Sequence, residues 1–246
     1  MKKHNLHTHT TYSDGVLTPK ELINKAMESR LEILGISDHA FSKKLPETFQ
    51  ITNRLGIYLN HLKKLKEEYK KHTNLDLKIG IEIDVSKNYG INPSKLPFEI
   101  LNNFDYALFE YVNTKFEYWG EVGSRDISSI TKVRNKLLIP VGLAHNDLQK
   151  NYDGRELEIA KILSDNKIFI EINHSEFHSR RNVGRNTREG KNYYEHFSKK
   201  LLDELVKNNV RFIVGTDFHI GLNLSDLEKP HKFIEENNLK YHSLVL

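Results

Sequence analysis

Short hydrophobic runs alternate with longer amphipathic segments along the whole chain. Runs rich in Ile, Val, Leu and aromatic residues predict strands at 3–8, 33–37, 77–85, 106–112, 140–144, 168–173 and 211–216. Hydrophobic residues at helical spacing predict helices at 19–29, 48–72, 124–137, 155–166, 193–208 and 225–237. The first helix has the clearest start, with Thr18 as N-cap, Pro19 in the first turn and Glu21 completing a capping box.

This alternation of strands and helices predicts an α/β protein with a parallel sheet covered by helices. Both a barrel and an open, doubly wound sheet fit the pattern. The barrel is favoured because polar residues recur at the carboxyl ends of most strands, whereas an open sheet concentrates its site at one switch point. A barrel of about seven strands would use all 246 residues as a single domain.

Composition narrows the chemistry. The chain has no Cys, which excludes disulfides, thiolate ligands and a cysteine nucleophile and leaves His, Asp and Glu as ligands for metals. A net charge of +4 is too small for a dedicated nucleic-acid binder but compatible with a small anionic substrate. No apolar run is long enough for a membrane span and no secretory leader is visible, so we expect a cytoplasmic protein with no membrane partner.

Histidines and carboxylates gather at the predicted strand ends. The segments concerned contain His7 and His9, Asp38 and His39, Glu82 and Asp84, His145, and Asp217 and His219. Divalent transition metals prefer imidazole nitrogens and carboxylate oxygens, and strand alternation points both imidazoles of a His-x-His pair the same way. Any one pair is more often a hydrogen-bonded polar pair, but several unpaired polar strand ends would be costly to bury. The pattern therefore indicates a metal-dependent hydrolase.

Five segments in order, HTHTTYSDG, ISDHA, GIEIDV, GLAHND and GTDFH, resemble the PHP (polymerase and histidinol phosphatase) superfamily along essentially the full chain. The resemblance implies a distorted TIM-like (β/α)7 barrel as one domain, residues 1–246, with two or three divalent ions (zinc, manganese or iron) at its mouth.

Residue by residue, the resemblance assigns each ion its ligands. His7, His9, Glu82 and Asp217 would hold the first ion, and Glu82 would bridge to a second that His145 also binds. A third ion would take Asp14, His39 and His219. Without the resemblance, Asp14 is equally well explained as part of a plain Ser-Asp-Gly turn.

The chain departs from the family pattern at the end of the fourth strand, where DYALFEYVN contains Glu110 in place of the usual histidine. Glu110 could serve as an oxygen ligand and favour a harder ion such as manganese. Alternatively, the second site is weak or absent and a dinuclear centre remains, or Glu110 pairs with a basic residue at the mouth.

Other polar residues have supporting roles in this interpretation. Asp38, Asp84, Glu171 and Asn173 could orient ligating imidazoles through their free ring nitrogens, although a buried ion pair explains Glu171 equally well. The remaining histidines are expected to be exposed to solvent: His4, His61, His72, His196, His231 and His242.

A basic segment, residues 174–191, follows the sixth predicted strand. Arg180, Arg181 and Arg185 are candidates for a phosphate clamp, because guanidinium groups bind phosphate oxygens bidentately. A solvated polar loop is the alternative. His178 or His174 could protonate the leaving alkoxide, and Asp217 could accept or relay a proton.

The leading functional hypothesis is hydrolysis of a small phosphomonoester, similar to histidinol phosphate, by attack of a metal-bridging hydroxide. A nuclease or nucleotide phosphoesterase with the same metal centre is the alternative. A third possibility, a catalytically silent scaffold, fits less well because such a protein would tend to lose its ligands. The oligomeric state is left open.

Overall fold

A computed structural model describes residues 2–114, 122–175, 187–188, 191–220 and 223–246. Its strands are β1 His4–Asn5, β2 Ile33–Ile36, β3 His39–Ala40, β4 Asp76–Ile79, β5 Glu82–Asp84, β6 Ala107–Glu110, β7 Val141–Leu143, β8 Ile168–Asn173, β9 Thr187–Arg188, β10 Lys191–Asn192, β11 Arg211–Gly215 and β12 Lys240–Tyr241.

The α-helices are α1 Pro19–Glu28, α2 Leu55–Tyr69, α3 Phe98–Leu101, α4 Ser128–Thr131, α5 Leu148–Asn151, α6 Glu156–Asp165, α7 Lys199–Lys207 and α8 Glu228–Glu236. Short 3-10 helices lie at Glu47–Phe49, Thr52–Arg54, Pro93–Lys95, Arg134–Lys136, Tyr193–His196, Asn223–Ser225 and Ser243–Val245. None of the helices in these ranges is long and apolar enough to cross a membrane.

Nearly all strand pairs are parallel. One sheet has the order β1-β2-β4 and a larger one the order β12-β11-β8-β7-β6-β5-β3, while β9 and β10 form a separate antiparallel pair. Parallel neighbours need long crossover connections, which the intervening helices supply. The α/β class and the mostly parallel sheet are confirmed.

The two sheets together form the wall of a distorted barrel. β2 pairs with β4, and β3, which follows β2, pairs with β5, which follows β4. The strand path is therefore interrupted between these two pairings. At the other seam, the Leu6 amide donates to the Val214 carbonyl at 2.9 Å. Thr8 forms a parallel bridge with Phe218. The TIM-like prediction is confirmed, but no continuous ladder closes the barrel in the described residues. The assignment of residues 1–246 to one domain stays a prediction.

Tyr106 fills the space at the interrupted strand path. Its hydroxyl donates to the Leu6 carbonyl at 2.6 Å, and its ring approaches Gly80 so closely that a Cβ there would lie 2.2 Å from Tyr106 Cζ. Tyr106 packs with Leu6, Leu108 and Phe169 in the barrel interior. This interior cluster is a packed floor beneath the strand ends.

The helices pack on the outside of the strands. Thr18 and Glu21 form the predicted capping box of α1. α2 buries the side of the helix that carries Leu59, Leu62 and Leu65, whose spacing matches the helical repeat. These residues belong to the larger core cluster between helices and strands.

Several predicted element boundaries are wrong. The predicted helix at 48–72 begins as two 3-10 turns before α2, and the one at 124–137 contains only α4 and a 3-10 turn. α3 and α5 were not predicted, because a helix of one turn has too few residues to show a periodic pattern.

The prediction that all remaining histidines are exposed is wrong for His4 and His231, which are buried, and His196 and His242 are only partly exposed. His4 Nε2 accepts a hydrogen bond from the Val214 amide at 3.0 Å, and the imidazole rings of His4 and His231 meet edge to face at 4.7 Å. Burial, followed by the proximity of His231, lowers the pKa of His4 to about 3. Both rings belong to the structural core rather than the surface.

Candidate metal centre

The predicted ligands come together at the carboxyl ends of the strands. His7 and His9 follow β1, His39 lies beyond the end of β2 in the short β3, Glu82 lies beyond the end of β4 in β5, and Glu110 ends β6. His145 follows β7, and Asp217 and His219 follow β11. The convergence expected for a barrel mouth is therefore present.

The most buried group consists of His7, His9, Glu82 and Asp217, whose ligand atoms all lie within 4.8 Å of one another. Asp217 Oδ1 is 3.3 Å from His7 Nε2 and 3.1 Å from His9 Nε2. His7 Nε2 is also 3.4 Å from Glu82 Oε1. These two nitrogens and two carboxylates form a compact donor set that one divalent cation could occupy.

Glu82 lies between this group and its neighbours. Its Oε1 atom is 3.0 Å from His145 Nε2, and its Oε2 atom is 2.7 Å from His39 Nδ1. One carboxylate thus contacts imidazoles from two further strands. This position suits the bridging role that the resemblance implies.

A second group contains His9, Asp14, His39 and His219. Asp14 Oδ1 is 3.0 Å from His219 Nε2 and 3.6 Å from His39 Nε2. The turn that carries Asp14 therefore brings its carboxylate to the histidines of two other strands.

Glu110 forms a third group with His39 and Glu82, and its Oε1 atom is 4.0 Å from His39 Nδ1. The nearby Lys44 ammonium is 3.2 Å from Asp84 Oδ2 and lies over the Tyr111 ring at 3.6 Å. Glu110 is thus close enough to other donors to share an ion with them.

The donors fit a divalent cation. His39 Nδ1 and Glu82 Oε2 are buried and 2.7 Å apart, yet they lack the alignment of a hydrogen bond, and neither has a partner of that kind in the described part of the chain. Such an approach is expected where both atoms are directed at a common cation. With nitrogen and oxygen donors only, the set suits zinc, manganese or iron.

The charges of the cluster are strongly coupled. Burial raises the pKa of Glu82, but the His7 and His39 imidazoles outweigh burial and hold that pKa well below its usual range. Burial lowers the pKa of His39, but Glu82 and then Asp14 outweigh it and raise that pKa to about 10. In the protein groups alone, protons on imidazoles balance the carboxylates, and a bound cation would replace them.

The pKa values of His9 and Glu110 shift in the opposite directions to those of His39 and Glu82. Burial, together with the neighbouring His219 and His39, lowers the pKa of His9 to about 3, so His9 stays neutral and can donate a lone pair. Burial and then the charge of Glu82 raise the pKa of Glu110 to about 7. The region around Glu110 therefore has an excess of negative charge that a cation would relieve.

Glu171 orients the first group as expected. It accepts hydrogen bonds from His7 Nδ1 at 2.9 Å, from Asn173 Nδ2 at 2.7 Å and from the His145 amide at 2.7 Å. Its contact with the far nitrogen of His7 fixes the ring so that Nε2 faces Asp217.

Asp38 and Asp84 differ from the expectation that they contact imidazoles. Asp38 accepts hydrogen bonds from Thr10 and Ser13, and Asp84 accepts them from Ser42 and Ser86. In the described hydrogen bonds, both carboxylates therefore stabilise loops and do not contact imidazole rings. The supporting hydroxyls of Thr10, Ser13 and Ser42 were not predicted; Thr10 and Ser13 lie within the HTHTTYSDG segment, whose density of hydroxyl residues was the available signal.

The basic segment is largely outside the described residues, including Arg180, Arg181, Arg185 and His178. His174, at its start, projects to the opposite face of its strand from Glu171 and Asn173. Its Nδ1 atom lies 2.9 Å from the Tyr194 hydroxyl and 2.9 Å from Asn192 Nδ2. His174 is therefore directed away from the ligands.

Comparisons with known proteins agree with this geometry. Among solved structures, the histidinol phosphate phosphatase of Lactococcus lactis, complexed with zinc, L-histidinol and phosphate, superimposes with a TM-score of 0.65. It is 17% identical, and the match covers 98% of this chain and 95% of that one. A probable phosphatase of Clostridium acetobutylicum is 25% identical over 234 residues, 94% of this chain and 84% of the relative.

A shorter match is with the 5'-3' exoribonuclease Rnm of Salmonella typhimurium, 33% identical over 88 residues. That match covers 34% of this chain and 28% of the relative, so it spans little more than a quarter of the exoribonuclease. The profile of the PHP domain family matches residues 5–175, well over half of the sequence. The chain therefore belongs to the PHP domain family.

Proposed function

We propose that the protein is a phosphatase that hydrolyses a small phosphomonoester similar to histidinol phosphate. The observation that carries the proposal is the position of Glu82. This residue belongs to the donor group of His7, His9 and Asp217, and its two oxygens also contact His145 and His39. A shared carboxylate of this kind suits adjacent cations acting on one phosphate group.

The proposed centre contains two or three divalent ions, zinc, manganese or iron. We propose as their ligands His7, His9, Asp14, His39, Glu82, Glu110, His145, Asp217 and His219. When bound, such ions would neutralise charge that develops on the phosphoryl oxygens. Eight of these residues support the proposal because they belong to donor groups whose ligand atoms lie within 4.8 Å of one another, and the ninth, His145, has its Nε2 atom 3.0 Å from Glu82 Oε1.

The protein's own residues would position the phosphate and move protons. Glu171 fixes the His7 ring, and a carboxylate among the donors would accept or relay a proton during the reaction. We propose Asp217 for this role and His178 as the group that protonates the leaving alkoxide. Arg180, Arg181 and Arg185 are proposed to bind the phosphate oxygens.

The phosphatases among the relatives support a monoester substrate. Both the Lactococcus lactis and the Clostridium acetobutylicum proteins match along most of their own length, and the solved structure of the first contains L-histidinol and phosphate. A phosphorylated amino alcohol is therefore a sensible first member of a substrate panel.

The test is phosphate release from a panel of phosphorylated metabolites by protein loaded with manganese, zinc or iron. Glu82→Gln should reduce kcat/KM by about 100-fold or more, since loss of the ions removes several kcal/mol of charge stabilisation and each 1.36 kcal/mol is tenfold. Glu156→Gln is the control. Glu156 lies in α6, away from the centre, and its carboxylate accepts a hydrogen bond from Lys200 Nζ at 2.8 Å. If no phosphate is released with any of the three metals, the proposal is contradicted.

A nuclease is the second candidate, and the matches to exoribonucleases at 33%, 32% and 38% identity favour it. It predicts turnover of single-stranded RNA that exceeds turnover of every phosphomonoester, with binding that weakens steeply as salt rises. The same loaded preparations can be assayed on a labelled oligoribonucleotide, so one experiment separates the two substrates.

A further inference from the structure

The turn after β1, residues 10–16, folds tightly before it delivers Asp14 to the mouth. The amides of Ser13 and Gly15 both donate to the Thr10 carbonyl, at 2.9 and 3.1 Å. A Cβ at Gly15 would lie 2.3 Å from the His9 carbonyl oxygen, so the turn packs directly against the His9 backbone.

Asp38 fixes one side of this turn. Its Oδ1 atom accepts hydrogen bonds from the Thr10 amide at 2.7 Å and from Ser13 Oγ at 2.5 Å, and its Oδ2 atom accepts one from Thr10 Oγ1 at 2.8 Å. Asp38 is fully buried and directly precedes His39. The carboxylate thus joins the turn to the chain segment that carries His39.

The other side of the turn is joined to the third histidine. The Val16 amide donates to the carbonyl of His219 at 3.1 Å. The turn is therefore hydrogen-bonded both beside His39 and at His219, and between these two attachments Asp14 Oδ1 comes within 3.6 Å of His39 and 3.0 Å of His219.

We propose that Asp38 is a positioning residue that assembles the ion site formed by Asp14, His39 and His219. Without its three charge-assisted hydrogen bonds, the turn would lose the attachment that keeps Asp14 opposite the two histidines. The inference rests on the proposed function, in that it requires this centre to bind divalent ions. It adds that one ion position depends on a buried carboxylate that contacts no ligand side chain in the described hydrogen bonds.

Asp84 provides a matched control. It is as buried as Asp38, and it also accepts bonds from a serine hydroxyl and a backbone amide, Ser42 Oγ at 2.7 Å and Ser86 N at 2.8 Å. Its described partners belong to the loops after β3 and β5 rather than to the turn of residues 10–16. Removing Asp84 should therefore leave the Asp14 site occupied.

The experiment counts ions per chain by elemental analysis after loading with manganese or zinc and removal of free metal. Wild-type protein should retain three ions and Asp38→Ala should retain two, with the affinity for those two changed by less than about threefold. Asp38→Asn should recover the third ion, since an amide oxygen can still accept from Thr10 and Ser13. This recovery would not be expected if the buried charge mattered only for folding.

Combining variants identifies which ion is lost. Asp14→Ala combined with Asp38→Ala should lose no more ions than Asp14→Ala alone, because both changes remove the same site. Asp84→Ala should retain the ion that Asp14→Ala removes. If Asp38→Ala does not fold, Ser13→Ala removes the 2.5 Å bond to Asp38, together with the longer 3.4 Å contact of Ser13 Oγ with His9 Nδ1, and should weaken binding of the third ion by about 10-fold or more.

The outcomes separate this inference from the proposed function. Wild-type protein that retains no divalent ion would contradict both. Wild-type protein that retains only two ions, or a folded Asp38→Ala variant that retains three, would overturn the inference alone. An equal loss of all ions in Asp38→Ala would also overturn it, because the role would then be general rather than specific to one site.

Discussion

Glu171 connects the strands that contribute His7 and His145. One of its oxygens accepts from the His7 ring and the other from the His145 amide, and the side chain is fully buried. The position of the His7 nitrogen that faces Asp217 therefore depends on a residue outside the donor groups.

We predict that Glu171→Gln lowers the affinity for manganese or zinc about 10- to 100-fold, the usual effect of losing an outer partner of a ligand. The glutamine amide would present an NH₂ group in place of one of the two oxygens that now accept hydrogen bonds, so either the His7 ring or the His145 amide would lose its acceptor. Isothermal titration measures the affinity, with Glu156→Gln as control. An affinity equal to wild type would show that the ring position does not depend on Glu171.

At this scale, strand alternation predicted the shared direction of His7 and His9, and the positions of polar residues at strand ends predicted that Glu82 and Asp217 would join them. Asp14 was assigned only through the family resemblance, because a turn residue has no periodic face. The partners of Asp38 could not be predicted, since alternation gives the direction of a side chain but not the loop that folds over it.

At the scale of elements, the interrupted strand path depends on the close contact between Tyr106 and Gly80. We predict that Gly80→Ala destabilises the fold by about 1–3 kcal/mol, the usual cost of overpacking a core. The added methyl would meet Tyr106, whose ring cannot withdraw without losing its bond to the Leu6 carbonyl.

Chemical denaturation measures this change in the free energy of unfolding. Gly56→Ala is the control, because a Cβ at Gly56 in α2 has no atom within 4 Å and alanine favours the helix by about 0.5–1 kcal/mol. If both alanine variants had the same stability, the close packing around Tyr106 would not be what shapes this part of the barrel.

Long periodic elements could be predicted from the sequence, and short ones could not. α1 and β8 appear nearly as predicted, since each has enough residues for its pattern and clear flanking signals. The predicted strand at 77–85 divides into β4 and β5 because of the packing around Gly80, which involves Tyr106 from a distant part of the sequence. Such a contact leaves no local signal.

At the scale of the whole molecule, the carboxylates of the mouth link ion binding to stability. We predict that a chelator lowers the melting temperature and that manganese or zinc restores it. Ligand at 100 times its dissociation constant contributes about 2.7 kcal/mol per site. For a chain of this size, that corresponds to a shift of roughly 5–10 °C.

Thermal unfolding monitored by circular dichroism gives the shift, and Glu82→Gln should show a smaller one because it removes the shared carboxylate. Identical melting curves with and without metal would mean that the native state does not bind the ion.

The parallel α/β architecture itself could be predicted from the order of strands and helices, whereas the burial of His4 and His231 arises from the meeting of the first strand with distant parts of the chain.

Several strands end in a left-handed backbone conformation without glycine: φ is 62° at Phe41, 62° at Tyr111, 31° at His145 and 50° at Asp217. Each such residue costs roughly 1–2 kcal/mol relative to a right-handed conformation. At His145 and Asp217 the side chain is needed at the centre, so the cost cannot be removed there without losing a donor. Heat-adapted descendants of this chain should therefore acquire glycine or asparagine at position 41 well before any change at 145 or 217.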